Sequence, residues 1–224
     1  MSTVHKIFFA FIIIAFSGAS NATLITANGS DVSFTYNDSL LGLYGVPSVS
    51  GNSLIFAPTN FSASSTVSSP YDFINSSVVV TINSLSSPIN KVSLLELGNY
   101  TKIGGSAEVA ATGTLIMTDL TNTLTSVSNI IPTAASFVTT AFPNPVGNWD
   151  AKANGDLLNS FSVLASINNI LGTQKLQASD YALINKLSVS LTATVSAVPL
   201  PQAVWLFGIG LMGLLSLSKR KHLL

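Results

Sequence analysis

The sequence predicts an all-β domain over residues 23–196, an antiparallel two-sheet sandwich of jelly-roll-like type. Three observations predict it. Apolar and polar residues alternate with period two in several short runs, as half-buried strands require. Gly, Pro and Asn clusters interrupt those runs at turn-like spacing. Before Val198 no segment carries a convincing long helical pattern, which disfavours folds built on crossover helices.

The elements follow in order. Met1–Lys6 is a short basic start, Ile7–Phe16 a nearly unbroken apolar run, and Ser17–Ala22 small and polar. That is the layout of a secretory signal peptide, residues 1–22. The apolar run of about ten residues is half of what a membrane-spanning helix needs. Ser20 and Ala22 place small residues at both specificity positions, so cleavage is expected after Ala22 and the mature chain starts at Thr23.

Val32, Phe34 and Tyr36 then alternate with Ser33 and Thr35. Ser62–Ser69 reads as a Ser-rich loop, Ser77–Ile82 as a short β-branched strand, and Gly113–Asp119 as a strand alternating around Leu115 and Met117. Thr121–Thr140 is weakly patterned. Leu157–Leu171 fits an amphipathic helix or a strand with loop, its Ser and Asn content favouring the latter. Leu187, Val189, Leu191, Ala193 and Val195 alternate with Ser and Thr and form the clearest strand, expected inside the sheet with this set facing inward.

Composition limits what the domain does. The chain is 47 % hydrophobic and only 8 % charged, so solubility rests on Ser, Thr and Asn. Between Thr23 and Ser196 stand nine acids and five lysines, and nine minus five leaves a net charge of −4. Basic flanks around an acidic body argue against binding nucleic acid. There is no cysteine, so no disulfide holds the fold together.

Chemistry is sparse. Both histidines, His5 and His222, lie in the two end segments. Without His or Cys the body builds neither a Ser-His-Asp triad, a thiolate nucleophile nor a usual zinc site. Two candidates remain. Glu96, Glu108 and Asp119 sit on or beside neighbouring predicted strands, and glycoside hydrolysis needs only two well-placed acids. Isolated acids on a β surface are ordinary, however, and read first as solvated charges. Asp150, Asn154 and Asp156, beside Trp149, offer oxygen ligands for calcium, but their spacing differs from an EF-hand loop and suits a plain Asx-turn. The expected domain is therefore non-enzymatic and cofactor-free. Six Asn-x-Ser/Thr triplets, at Asn21, Asn28, Asn37, Asn60, Asn75 and Asn99, are what chance gives in a chain this rich in Ser and Thr.

Residues 197–224 have an order of their own. Val198-Pro199-Leu200-Pro201 leads into an apolar segment from Ala203 to Leu217, closed by Lys219-Arg220-Lys221. These fifteen residues at 1.5 Å each span roughly 22 Å, a short transmembrane helix. The trailing basic residues hold that end in the cytoplasm. Gly208, Gly210 and Gly213 spell G-x-G-x-x-G, but no strand precedes them and they read as helix-packing glycines.

Those residues carry a resemblance. The Pro motif, then Trp205-Leu206-Phe207-Gly208, the spaced glycines and the basic end closely resemble the PEP-CTERM sorting signal in its VPLPA variant. Gln202 stands where that string usually has Ala. Two body patches are similar to members of the same family: Ser50–Phe61, and Glu96–Tyr100 followed by Gly104-Gly105, where Asn99 replaces the more frequent Asp. The resemblance implies a bacterial export substrate cut near the Pro motif by an exosortase-type membrane protease. It also implies association with extracellular polysaccharide. Two functional classes follow: a non-catalytic surface or matrix protein, and a secreted carbohydrate-active or glycan-binding domain using the same signal.

Overall fold

In the computed structural model the described residues are 23–132 and 146–196, together with Phe207, Ile209 and Met212. Twelve strands lie among them. The first five are short: β1 (Leu24–Asn28), β2 (Val32–Asn37), β3 (Ser48–Ser50), β4 (Ser53–Phe56) and β5 (Ser62–Ser65). The remaining seven are long: β6 (Tyr71–Ser84), β7 (Ile89–Ile103), β8 (Glu108–Asp119), β9 (Leu124–Pro132), β10 (Val146–Ser160), β11 (Ser162–Gln174) and β12 (Tyr181–Val195). Two 3-10 turns, Asp38–Leu40 and Gly42–Tyr44, join β2 to β3.

Every pairing is antiparallel, as the alternating pattern leads one to expect. The strands follow one path, β1-β2-β6-β11-β8-β9-β10-β7-β12-β4-β3, with β5 on β12 off the path. This replaces the expected division into two sheets. Strand β9 pairs along its length with β8 and at its end with β10 through Ile131 and Pro132, so one sheet continues into the other.

The two ends of the path also meet, which makes the sheet nearly a closed barrel. Asp31 N–H donates to Asn52 Oδ1 at 2.8 Å, Asn52 Nδ2 donates back to Asp31 Oδ2 at 2.9 Å, and Ser30 N–H donates to the Gly51 carbonyl. These bonds tie the tip of the β1–β2 hairpin to that of β3–β4. The approach needs Gly29, where a Cβ would lie 2.4 Å from the Gly51 oxygen. Strand β5 stitches the same seam further along. It pairs with β12, while Ser64 N–H donates to Asp72 Oδ2 of β6 and Ser65 Oγ to Thr173 Oγ1 of β11, both at 2.8 Å. Closing the sheet this way protects edges that would otherwise pair with other chains.

Other expectations resolve at the same level. Ser62–Ser65 is a strand rather than a loop, because Ala63 and Ser65 face the core and the hydroxyl of Ser65 is paired there. Leu157–Leu171 is the end of β10 and most of β11, with Val163, Ala165, Ile167 and Leu171 inside. Val32, Phe34, Tyr36, Leu115 and Met117 are buried as their patterns require. In β12, Val189, Leu191 and Ala193 are buried but Leu187 is 51 % exposed. A register shift between Lys186 and Ser188 leaves Leu187 as the extra residue of a bulge and reverses which side of the strand faces in.

Among the described residues no helix is long and apolar enough to cross a membrane. The signal peptide with Ala22, the Pro motif Val198–Pro201 and nearly all of 197–224 lie outside the described residues. Phe207, Ile209 and Met212 are helical and exposed.

Candidate functional site

The most concentrated chemistry lies inside the barrel. Even-numbered residues of β7 face inward, so Val92, Leu94, Glu96, Gly98 and Tyr100 share the core side. In β12 the inward set before the bulge is Ala182, Ile184 and Lys186. The two strands are neighbours, and Lys186 Nζ makes a short hydrogen-bonded ion pair with Glu96 Oε2, each side chain 1 % exposed. Gly98 opposite Lys186 is obligatory, because a Cβ there would sit 2.3 Å from the Trp149 ring and 2.2 Å from the Asn185 oxygen. Trp149 of β10 fills that space and donates Nε1–H to the Asn185 carbonyl at 3.1 Å. The Lys186 nitrogen lies 5.2 Å from the Phe61 ring centre and 5.5 Å from that of Trp149, so aromatic faces share its charge.

The third wall comes from β11 and the second 3-10 turn. Asn169 Nδ2 donates to Glu96 Oε1 at 2.5 Å and to the Tyr44 hydroxyl at 2.8 Å. Tyr44 packs edge-on against Phe56 and Phe61, with its hydroxyl 3.4 Å from the Ser76 and Ile167 carbonyl oxygens. Gly113 of β8, opposite Asn169, leaves room for the carboxamide, since a Cβ there would lie 2.6 Å from Asn169 Oδ1. That Oδ1 is buried without a hydrogen-bond partner.

Burial dominates the electrostatics. It pushes the Lys186 pKa down, against the pull of the Glu96 carboxylate, because an ammonium is poorly solvated there. It pushes the Tyr44 phenol well up, helped by the Glu96 charge, so that hydroxyl stays protonated. Taking both charges of an ion pair out of water costs several kcal/mol per ion before their attraction is counted. The cluster is thus closed to solvent and neutral as a whole.

The three acids singled out by sequence do not form one site. Glu96 is committed to Lys186 and Asn169. Glu108 is exposed at the start of β8, and Asp119 ends that strand eleven residues on, about 36 Å away at strand rise. Asp119 organises the turn into β9. It accepts from Ser160 Oγ, from the Thr121 and Asn122 amides and from Asn122 Nδ2, at 2.7–3.0 Å. Desolvation raises its pKa, but these bonds together outweigh that and hold it below the usual carboxylate range.

Asp150, Asn154 and Asp156 lie on β10 rather than in a turn, all on its outer side. Six residues of strand separate the two acids by about 20 Å, too far for one cation. Asp150 pairs instead with Lys152 at 3.3 Å. Among the described residues no group of three His, Cys, Asp or Glu side chains could hold a metal ion.

The outer face of β6, β11, β8 and β9 carries a shallow depression of about 430 Å3. Asn75, Ser77, Thr112, Thr114, Asn129 and Asn168 line it with uncharged donors and acceptors. Further along β6, Tyr71 and Phe73 are half or more exposed, Phe73 lying over Gly172.

Sequence reasoning missed the buried cluster, although a signal was present. Inward phase runs through Ala182, Ile184 and Lys186 on even numbers and through Val189, Leu191 and Ala193 on odd ones. That break in phase is the bulge, and it points Lys186 into the core. Fold and cluster together define a barrel-like antiparallel β domain with, among the described residues, one sealed charge pair. No protein-family model matches the chain, and no curated protein matches it.

Proposed function

We propose that this chain is an exported, non-catalytic surface or matrix protein. In this reading residues 1–22 direct export and are removed after Ala22. Residues 197–224 then hold the β domain at the membrane through a single helix until an exosortase-type protease cuts near Val198-Pro199-Leu200-Pro201. Ala203–Leu217, with Trp205, Leu206, Phe207, Gly208, Gly210 and Gly213 in it, is the anchor, and Lys219, Arg220 and Lys221 fix its orientation. The product joins an extracellular polysaccharide layer.

One observation carries the non-catalytic part: the strongest chemical cluster, Glu96 with Lys186, is 1 % exposed and satisfied from within. A substrate outside the barrel does not reach it. The sorting part rests on the order and spacing of the tail sequence. A second reading, a glycan-binding domain, is favoured by the uncharged amide and hydroxyl depression beside exposed Tyr71 and Phe73. Such surfaces suit neutral sugars, whose hydroxyls need hydrogen bonds and whose ring faces stack on aromatics.

Mass spectrometry of the protein in its native host tests the sorting reading. A membrane-bound precursor and a shorter product ending near the Pro motif are expected. Pro199→Ala with Pro201→Ala should leave the precursor uncut, because the pair keeps the site out of the helix. An intact Trp205–Leu224 segment on all surface protein would remove the sorting reading.

A further inference from the structure

Three strands bring together an amine, a carboxamide and the one carboxylate that both of them contact. Glu96 of β7 holds the Lys186 amine of β12 on Oε2 and the Asn169 carboxamide of β11 on Oε1. Phe61 and Trp149 flank the amine, and all three polar side chains are no more than 2 % exposed. The proposed function uses none of these groups. A primary amine and a primary amide sharing a carboxylate in a dry pocket are the reactants of a transamidation. We propose that Lys186 and Asn169 join in an intramolecular isopeptide bond, with Glu96 carrying the protons.

The atoms balance without a co-reactant. The Lys186 ammonium gives one proton to the Glu96 carboxylate, leaving a free amine and a neutral acid. Burial drives this step, since it removes two charges from a low-dielectric interior. A half-turn of the Asn169 carboxamide places Oδ1, which has no partner, where Nδ2 now lies, facing the Glu96 acid and the Tyr44 hydroxyl. Both donate to it and polarise Cγ. The Tyr44 phenol, its pKa raised by burial, remains a donor throughout.

The lysine lone pair then attacks Cγ, and the C=O electron pair moves onto Oδ1. Glu96 carries one proton from the attacking nitrogen to Nδ2, the electron pair returns from Oδ1, the Cγ–Nδ2 bond breaks and ammonia leaves. Glu96 ends as a carboxylic acid beside the new secondary amide. An ammonium, a carboxylate and a primary amide have become an acid, a secondary amide and ammonia, with net charge zero on both sides. Proximity replaces an external catalyst, because the fold already holds the reacting groups in contact with one carboxylate. The bond would close a loop from β11 to β12 and staple the two sides of a barrel that has no cysteine.

The test is intact-mass and fragment analysis of the full chain purified from a host that exports it, digested with trypsin after denaturation. The expected mass is about 17 Da, one ammonia, below that of the exported chain with the ends it is found to have. Trypsin cuts after Lys175, so Asn169 and Lys186 fall on different peptides unless they are joined. A branched peptide containing both, with no cleavage after Lys186, is the expected product. Glu96→Gln should lower its yield tenfold or more, and Asn169→Ala should abolish it. Wild-type protein decides the matter if either variant fails to fold. Free Lys186 and free Asn169 in folded wild-type protein would overturn the proposal. So would a 17 Da loss mapping to succinimide at Asn28-Gly29 or Asn154-Gly155 while trypsin still cuts after Lys186.

Discussion

Leu191→Ala measures the inward face of β12 directly. Leu191 is fully buried, and in register it stands between Leu94 of β7 and Leu54 of β4, both themselves in the core. Ladders on both sides hold those neighbours in place, so the site collapses little when the side chain is truncated. Leu→Ala substitutions in cores cost about 2–5 kcal/mol, growing with the cavity left behind, and the rigid flanks place this one at about 3–4 kcal/mol. For a domain of this size each kcal/mol moves the melting temperature by about 2–4 °C, so a drop of about 6–16 °C is expected. The adjacent Thr192 provides the control. It points outward and shares a 2.7 Å hydrogen bond with Ser53 Oγ, so Thr192→Ala should cost only about 0.5–1 kcal/mol. Denaturant titration of the purified protein, at unchanged slope, reads both values. Equal losses at the two positions would refute the assignment of faces.

Two further outcomes are expected. Asp119 and Asp180 both have lowered pKa values, Asp119 because its hydrogen bonds outweigh desolvation and Asp180 chiefly through bonds from Ser106. A carboxylate whose folded pKa is depressed stabilises the fold above its unfolded pKa of about 3.9 and loses that contribution as pH falls through the folded value. Stability should therefore decline below about pH 4, and Asp119→Asn with Asp180→Asn should flatten that decline; an unchanged acid limb in urea titrations would contradict it. Incubation with polysaccharides and peptides should release no new reducing ends or amines, and turnover abolished by Glu108→Gln in a folded variant would establish the carbohydrate-active alternative instead.

The all-β character was legible because period-two alternation is a local property: Val32–Tyr36 and Val189–Ala193 each carry it within a few residues. Closure was not legible, because it depends on pairings between distant segments. The clasp of Asp31 with Asn52 joins hairpins 21 residues apart, and Ser65 meets Thr173 across 108. Nothing in Ser62–Ser69 distinguishes a solvated loop from a strand whose hydroxyls are paired elsewhere. The acids illustrate the same limit. Glu96, Glu108 and Asp119 look alike in sequence, yet one is sealed in the core, one is exposed and one caps a turn. The difference lies in strand phase for Glu96, which shares its parity with Val92 and Leu94, and in the Asp119-Leu120-Thr121-Asn122 turn for Asp119.

The same phase argument shows what the buried pair does for folding. A one-residue slip of β12 against β7 would turn Lys186 outward and leave Glu96 buried without a cation, and removing one partner of a buried pair costs about 3–5 kcal/mol. The bulge at Leu187 is the price of the correct register, because it alone lets Lys186 and Val189 both face inward. Apolar alternation by itself would accept an unbulged strand with Leu187 inside and Lys186 outside. The ion pair therefore favours the bulged register over an unbulged one that apolar alternation also accepts. An isopeptide bond between Lys186 and Asn169 forms only after that choice, since the amine reaches the carboxamide only when Glu96 holds both. Register is selected by a reversible contact and then made permanent by an irreversible one.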